Sequence, residues 1–155
     1  MSRLRRFLLE NHCYHVSTAT AGRQPVFSNA AAAQVVVDAL RFLRRERAYV
    51  LAYAVMPDHI HVLLVPRAPQ TVSSLMQSLK GFTSRAINAQ LGRHGALWQE
   101  SFYDRVIRGD QHLMEAIEYV HGNPVAAGLA QRPEDYPFCS AHPQSQTDLE
   151  QFLGS

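Results

Sequence analysis

The stretch that decides the fold runs from residue 49 to residue 65 and has the sequence YVLAYAVMPDHIHVLLV. It contains two segments rich in aliphatic and aromatic residues, which favour β-strands. Between them stand Pro57 and Asp58, residue types that favour a tight turn. The turn is short enough for the two strands to form an antiparallel hairpin. The apolar residues 62–65 indicate that the second strand lies at the centre of a sheet.

Regular elements are predicted on both sides of this hairpin. The alternating, β-branched residues 13–21 predict a first strand. A helix follows over residues 29–47 with its N-cap at Ser28, and its residues Val36, Leu40 and Leu43 form an apolar face. After the hairpin, the pattern predicts a helix over 72–91, a strand over 102–108 and a helix over 111–121. This order is the split βαβ arrangement. We therefore predict an α+β fold with a ferredoxin-like (RRM-like) antiparallel sheet, helices on one face and the other face free for a substrate.

The length of 155 residues fits one domain. We expect a core over about residues 13–130, a basic N-terminal arm over 1–12, and a turn-rich, partly disordered tail over 131–155. No apolar run reaches the ~18 residues of a membrane helix, and no secretory signal is visible, so we expect a cytoplasmic protein. The two cysteines, Cys13 and Cys139, stand far apart, which argues against a disulfide framework or a zinc ribbon.

The formal net charge of +2 does not by itself indicate a nucleic-acid-binding protein. Fourteen of the fifteen basic residues are arginines, which suit phosphate contacts, although a GC-rich genome would give the same bias. Trp98 can stack on an unpaired base or anchor the core beside Leu97. The candidate DNA contacts are Arg3, Arg5, Arg6, Lys80, Arg85, Trp98, Arg105 and Arg108.

Two histidines stand two residues apart in the predicted central strand. Residues at this spacing point to the same face, so the imidazoles of His59 and His61 project side by side. Two neutral imidazoles so placed suit a divalent metal ion. The alternative is a pair of half-exposed histidines on the open face of the sheet, because such spacing also arises by chance.

A tyrosine and an asparagine stand four residues apart near the end of the last predicted helix. If the helix extends to Asn123, this residue and Tyr119 share one side. The amide oxygen can complete a metal site, and a metal can polarise a phosphate for attack by the phenol. The alternative places the Tyr119 ring in the core and makes Asn123 a helix C-cap before Pro124.

Four blocks of sequence carry a family pattern: MPDHIHVL at 56–63, LWQESF at 97–102, YVHGNPV at 119–125 and PEDYP at 133–137. Together they resemble the IS200/IS605-type transposases with a single catalytic tyrosine, and most of all their REP-associated tyrosine transposase branch. The chain departs from the family pattern at Asp58, often Asn, at Ala126, usually Arg, and at residues 138–140, usually Trp-Ser-Ser. None of these is a predicted ligand or nucleophile, so they bear on DNA specificity more than on the chemistry.

The resemblance implies a specific reaction. Tyr119 is the family's nucleophile, and His59, His61 and Asn123 are its ligands for Mg²⁺ or Mn²⁺. Attack on single-stranded DNA, such as a hairpin from a repetitive extragenic palindrome (REP), gives a 5′-phosphotyrosine link and a free 3′-hydroxyl, and a second 3′-hydroxyl resolves the link. The wider family implies a homodimer with the tyrosine supplied in trans, whereas the REP-associated branch implies a monomer.

Two other functions fit parts of the pattern. A ferredoxin-like sheet also serves in non-catalytic domains that bind single-stranded nucleic acid, although the aromatic motif of such domains is not visible here. A metal-dependent phosphodiesterase that uses water in place of tyrosine is the second alternative. A covalent protein–DNA adduct separates both from the transposase.

Overall fold

The computed structural model describes residues 3–153, and the outermost residues of the predicted arm and tail, 1–2 and 154–155, lie outside them. Its four strands are β1 (Cys13–Ala19), β2 (Ala48–Val55), β3 (His59–Pro66) and β4 (Tyr103–Ile107). They form one sheet in the order β2-β3-β1-β4, and all neighbours are antiparallel. The predicted hairpin, the α+β class and the ferredoxin-like strand order are confirmed.

The helices are α1 (Arg3–Glu10), α2 (Ala30–Leu43), α3 (Val72–Leu91), α4 (Asp110–Ala126) and α5 (Glu150–Leu153). Helix α2 begins one residue later than predicted, because the Asn29 side chain, not Ser28, caps it by accepting a hydrogen bond from the Ala32 amide. Thr71 caps α3 together with Ser74, as a capping box. No helix among residues 3–153 is both long and apolar enough to cross a membrane.

The position of α4 differs from the expectation of helices on one face. Strand β3 alternates, so Ile60, Val62 and Leu64 pack in one hydrophobic cluster with α2 and α3, whereas Leu63 and Val65 pack in a second cluster with α4. Helix α4 contacts β2 and β3 but has no comparable contact with β4. The second face is therefore covered beside β2 and left open beside β4.

Helix α4 also runs farther than predicted, to Ala126, with Pro124 inside it. A proline near the C-terminal end of a helix removes one backbone hydrogen bond, and here burial of Pro124 compensates. Gly128 follows the helix end, and its φ of 75° lets the chain turn back so that the Leu129 amide donates to the Pro124 carbonyl. Tyr119 and Asn123 consequently lie on the same helix, one turn apart.

Within residues 131–153, the tail lies along the edge of β2 and hydrogen-bonds to it, where partial disorder was expected. The Val55 amide donates to the Phe138 carbonyl, and the Ser140 amide donates to the Tyr53 carbonyl. The buried carboxylate of Asp148 accepts from the Val50 amide at 2.8 Å. These bonds satisfy backbone groups of an edge strand that would otherwise be exposed.

Candidate metal and nucleophile site

The two histidines of β3 lie on the second face of the sheet, at the border of the part that α4 covers. Their ring centroids are 5.0 Å apart. His61 is buried, with 8% of its surface exposed, and His59 is half-buried. Opposite them on β1 stand Ser17 and Ala19, which share the same face. The same-face prediction from the two-residue spacing agrees with this placement.

Each histidine has one ring nitrogen bonded to a neighbouring side chain. Nδ1 of His59 lies 2.7 Å from Oδ1 of Asp58, and Nδ1 of His61 lies 3.0 Å from Nε2 of His15. Nε2 is therefore the nitrogen that remains on each ring for a cation. Metal-binding histidines commonly have this arrangement, in which a partner on the second nitrogen orients the ring. The donor chemistry of the pair thus fits a divalent transition-type cation such as Mn²⁺.

The electrostatic environment keeps the His61 ring in the neutral form that binds metal. Burial, with additional effects of His59 and His15, lowers the pKa of His61 to about 3, so this ring is neutral at neutral pH. Burial, followed by the charges of Arg105 and His112, lowers the pKa of His15. Burial acts to raise the pKa of Asp58, but its contacts with His59 and Arg23 outweigh burial and lower it. Asp58 is therefore a carboxylate beside His59.

The predicted nucleophile lies next to this pair. Helix α4 buries Ala116, Ile117 and Val120 against the sheet, which places Tyr119 on its flank, 58% exposed. The Tyr119 ring centroid is 5.5 Å from that of His61 and 5.9 Å from that of His15. The alternative in which Tyr119 packs in the core does not agree with this exposure.

Asn123 lies one turn after Tyr119 on α4 and is half-buried. It is not among the residues that line the space in front of the histidines. Within residues 3–153, no three His, Cys, Asp or Glu side chains are grouped as a metal site. A cation on His59 and His61 therefore needs oxygen ligands of another kind, such as an amide or a substrate phosphate. The assignment of Asn123 stays a prediction.

An open cleft of about 460 Å³ lies in front of the pair, and we call it the histidine cleft. Its walls come from separate parts of the chain, including Ser17, Arg23, Gln99, Tyr103 and Tyr119.

Arg23 is a cleft residue that sequence reasoning did not single out. Among residues 3–153 it is the one non-glycine residue with a positive φ, 54°, and it follows Gly22 at 64°. Its Nε lies 3.7 Å from Oδ2 of Asp58, while 58% of its side chain remains exposed. A residue held in an unfavourable backbone conformation at a cleft suggests a functional constraint. Only Gly22 signals the turn in the sequence, and nothing there signals the position of the guanidinium.

The arginines of the predicted basic arm belong to helix α1. Arg3 donates to the Gln151 carbonyl at 2.8 Å, and Arg5 lies 3.6 Å from Asp110. Arg6 is exposed. Two of the three thus have partners within the chain, and their contact with DNA stays a prediction.

Two predicted DNA contacts of the middle region lie away from the cleft. Trp98 is 6% exposed, donates to Thr83 Oγ1 at 3.0 Å and packs on Phe27, which agrees with the alternative of a core anchor. Contact of Trp98 with DNA stays a prediction. Arg85 lines a groove between α2 and α3, on the opposite face of the sheet.

Lys80 and the arginines near β4 are closer to the cleft. Lys80 donates to the carbonyls of Gln99 and Ser101, at 2.8 and 3.0 Å, and so holds one cleft wall. Arg105 is exposed on β4 directly opposite His15 and shares its face. Arg108 is exposed just after β4. Arg105 is therefore the predicted cation best placed for DNA that enters the cleft from the open side.

Comparison with known proteins agrees with this fold. The family model described as "Transposase IS200 like" matches residues 9–123. This chain belongs to the IS200-like transposase family.

Two curated relatives bear the name REP-associated tyrosine transposase. The Escherichia coli protein is 25% identical over 111 residues, covering 70% of this chain and 64% of the relative. A protein so assigned in Haemophilus influenzae is 28% identical over 109 residues, covering 64% and 62%. The chain therefore spans less than two thirds of the length of these relatives.

Two solved structures share the fold. A REP-associated tyrosine transposase bound to a REP hairpin superposes with a TM-score of 0.69 at 21% identity, covering 85% of this chain and 78% of that one. A Deinococcus radiodurans protein assigned as a transposase gives a TM-score of 0.50 at 22% identity, covering 72% and 88%.

Proposed function

We propose that this chain is a metal-dependent single-stranded DNA endonuclease and strand transferase that forms a 5′-phosphotyrosine intermediate, and that it acts on REP-like hairpin DNA. The observation that carries the proposal is the Tyr119 ring beside the His59–His61 pair, with centroids of Tyr119 and His61 5.5 Å apart. Family membership and the names of the relatives support the same activity.

In this proposal His59 and His61 bind Mg²⁺ or Mn²⁺ through Nε2, and Asn123 supplies an amide oxygen. A cation held there would supply Lewis-acid polarisation of the scissile phosphate. The Tyr119 oxygen attacks phosphorus and its proton passes to water, which reaches the largely exposed side chain. The bond from phosphorus to the 3′-oxygen breaks, and this oxygen takes a proton from water and leaves as a hydroxyl. A 3′-hydroxyl of a second strand then attacks the phosphotyrosine and releases Tyr119. Each step replaces one phosphodiester bond by another, so the bond energy is retained and no nucleotide cofactor is needed.

Arg23 is the residue we assign to the substrate phosphate. Its guanidinium lines the cleft and keeps more than half of its surface exposed while one nitrogen contacts Asp58. Arginine can bind a phosphate with two parallel hydrogen bonds. Arg105 extends positive charge along the open half of the same face.

The proposed partner is hairpin or single-stranded DNA. The similar structure bound to a REP hairpin supports this choice. We propose a monomer that cuts in cis rather than a homodimer, because Tyr119 lies beside the histidines of its own chain. A DNA-processing role also supports our proposal that the protein is cytoplasmic.

The test uses a 5′- and 3′-labelled hairpin oligonucleotide with single-stranded flanks, incubated with the protein and Mn²⁺ and run on a denaturing gel. We expect one of the two labels to migrate with a protein–DNA adduct. We expect no such adduct with Tyr119→Phe or in the presence of EDTA. Cleavage without an adduct supports the water-using phosphodiesterase instead. Binding without cleavage supports the non-catalytic binder.

A further inference from the structure

His15 is a half-buried polar side chain that the proposed reaction leaves without a role. It stands in the middle of β1, opposite Leu63 of β3 and Arg105 of β4. Its Nε2 lies 3.0 Å from Nδ1 of His61, and its ring is 5.9 Å from that of Tyr119. It does not line the histidine cleft. His15 therefore contacts a candidate ligand and the candidate nucleophile from behind.

The two ligand histidines have different partners on Nδ1. Asp58 is a carboxylate and only accepts hydrogen bonds, so Nδ1 of His59 must carry a proton, and the neutral tautomer with this proton has its lone pair on Nε2. The bond between His15 and His61 can form with either ring as donor. If His15 donates, a neutral His61 carries its proton on Nε2 and cannot bind a cation there. If His61 donates, its Nε2 is free to bind.

We propose that His15 is a positioning residue that accepts the hydrogen bond from Nδ1–H of His61 and so presents Nε2 of His61 to the cation. The inference rests on the proposed metal site. This hydrogen bond would give His61 the same tautomer as His59, with the proton on Nδ1. The acceptor is the His15 imidazole for His61 and the Asp58 carboxylate for His59. The same imidazole packs edge-on against Tyr119, so it also limits where that ring can lie.

The first test reads the tautomer without metal or DNA. Long-range ¹⁵N–¹H NMR of the labelled protein distinguishes Nδ1–H from Nε2–H in each histidine. We expect Nδ1–H for His61 in the wild type and in His15→Gln, whose amide oxygen can accept the same bond. In His15→Phe, which keeps a ring but has no acceptor, we expect His61 to lose this preference. The exposed His94→Phe is the matched control and should behave as wild type.

The second test measures Mn²⁺ affinity by electron paramagnetic resonance in the absence of DNA. Loss of an outer partner of a ligating histidine typically costs about 10- to 100-fold in metal affinity, and we expect this loss in His15→Phe. We expect His15→Gln to recover most of it. The midpoint of thermal unfolding is measured for each variant and identifies any variant that does not fold. If His15→Phe does not fold, the tautomer and the Mn²⁺ affinity of His15→Gln are compared with those of the wild type.

The inference is overturned if His61 in the wild type carries its proton on Nε2, or if His15→Phe keeps both the wild-type tautomer and the wild-type Mn²⁺ affinity. These results are independent of the DNA reaction. A wild-type protein that binds Mn²⁺ with the expected dependence on His15, yet forms no adduct, refutes the proposed function and leaves the role of His15 standing.

Discussion

Replacing Asp58 by alanine is expected to weaken Mn²⁺ binding about 10- to 100-fold. Asp58 contacts His59 through one carboxylate oxygen, at 2.7 Å, and Arg23 through the other, at 3.7 Å. Alanine removes the acceptor for Nδ1–H of His59, so this ring loses its fixed orientation and tautomer. It also releases the guanidinium that we assign to the substrate phosphate.

The expected loss corresponds to about 1.4 to 2.8 kcal/mol, since each factor of ten in affinity is about 1.4 kcal/mol. A single hydrogen bond to a charged group contributes about 1.5 to 3 kcal/mol, which is the same range. The Arg23 contact adds little, because both side chains are partly exposed and the atoms are far apart. The effect on Mn²⁺ binding should therefore come from His59.

Isothermal titration calorimetry of the protein with Mn²⁺, without DNA, measures the change in Mn²⁺ affinity directly. Asp58→Asn is the matched control, because its amide oxygen can still accept the hydrogen bond from His59. Asparagine is also the residue that the transposase family often has at this position. We expect Asn to lie much closer to wild type than Ala. Equal Mn²⁺ affinities for wild type and Asp58→Ala would refute the role of the carboxylate, provided that both unfold at similar temperatures.

Three further substitutions test separate parts of the proposal. Tyr119→Phe should form no covalent adduct in the hairpin gel yet bind the hairpin and unfold like wild type, because the side chain is largely exposed; an adduct in this variant would exclude Tyr119 as nucleophile. Arg23→Gln should bind hairpin DNA more weakly, with a salt dependence reduced by about one phosphate contact, whereas Arg23→Lys keeps the charge; an unchanged salt slope would contradict the phosphate assignment. Tyr136→Phe should lower the free energy of unfolding by about 1 to 3 kcal/mol in urea titration, because the phenol donates to the buried Val55 carbonyl at 2.6 Å, and a change below measurement error would contradict that reason. Burial raises the pKa of Tyr136 from 10.0 to about 12, so wild-type stability should fall as pH rises above about 10, and the fall should be smaller in the variant.

The local pattern of apolar residues was sufficient to predict the strands that carry the histidines. The two-residue repeat of a strand fixes the face of His59 and His61, and the turn at Pro57-Asp58 fixes the hairpin. The same repeat puts Cys13, His15 and Ser17 on one face of β1, and the pairing of Ser17 with His61 makes this the face of the two histidines. What periodicity could not give is the partner of Nδ1 of His61, because that partner depends on the register between β1 and β3, a contact 46 residues apart in sequence.

Long-range contacts decided the features that the sequence left open or did not signal. Trp98 suits both a base and a core, and its core position depends on its burial, its packing on Phe27 and its bond to Thr83 on α3. Arg23 depends on a turn whose neighbouring backbone amides donate to Asp58, in the turn between β2 and β3, and to Leu97, in the segment before β4. The end of α4 depends on the burial of Pro124, which overrides the tendency of proline to end a helix.

The placement of α4 links the fold to the site. Strand β2 has almost no polar alternation, with Leu51, Ala52 and Ala54 buried on the second face, and such a run is typical of a strand covered on both sides. Strand β4 instead exposes Tyr103 and Arg105, which is typical of an open face. Because α4 covers only one half of the sheet, one flank of the helix lies over the middle of the sheet, near β3. Tyr119 stands on that edge, so its ring adjoins His61 while its surface stays open to a substrate strand.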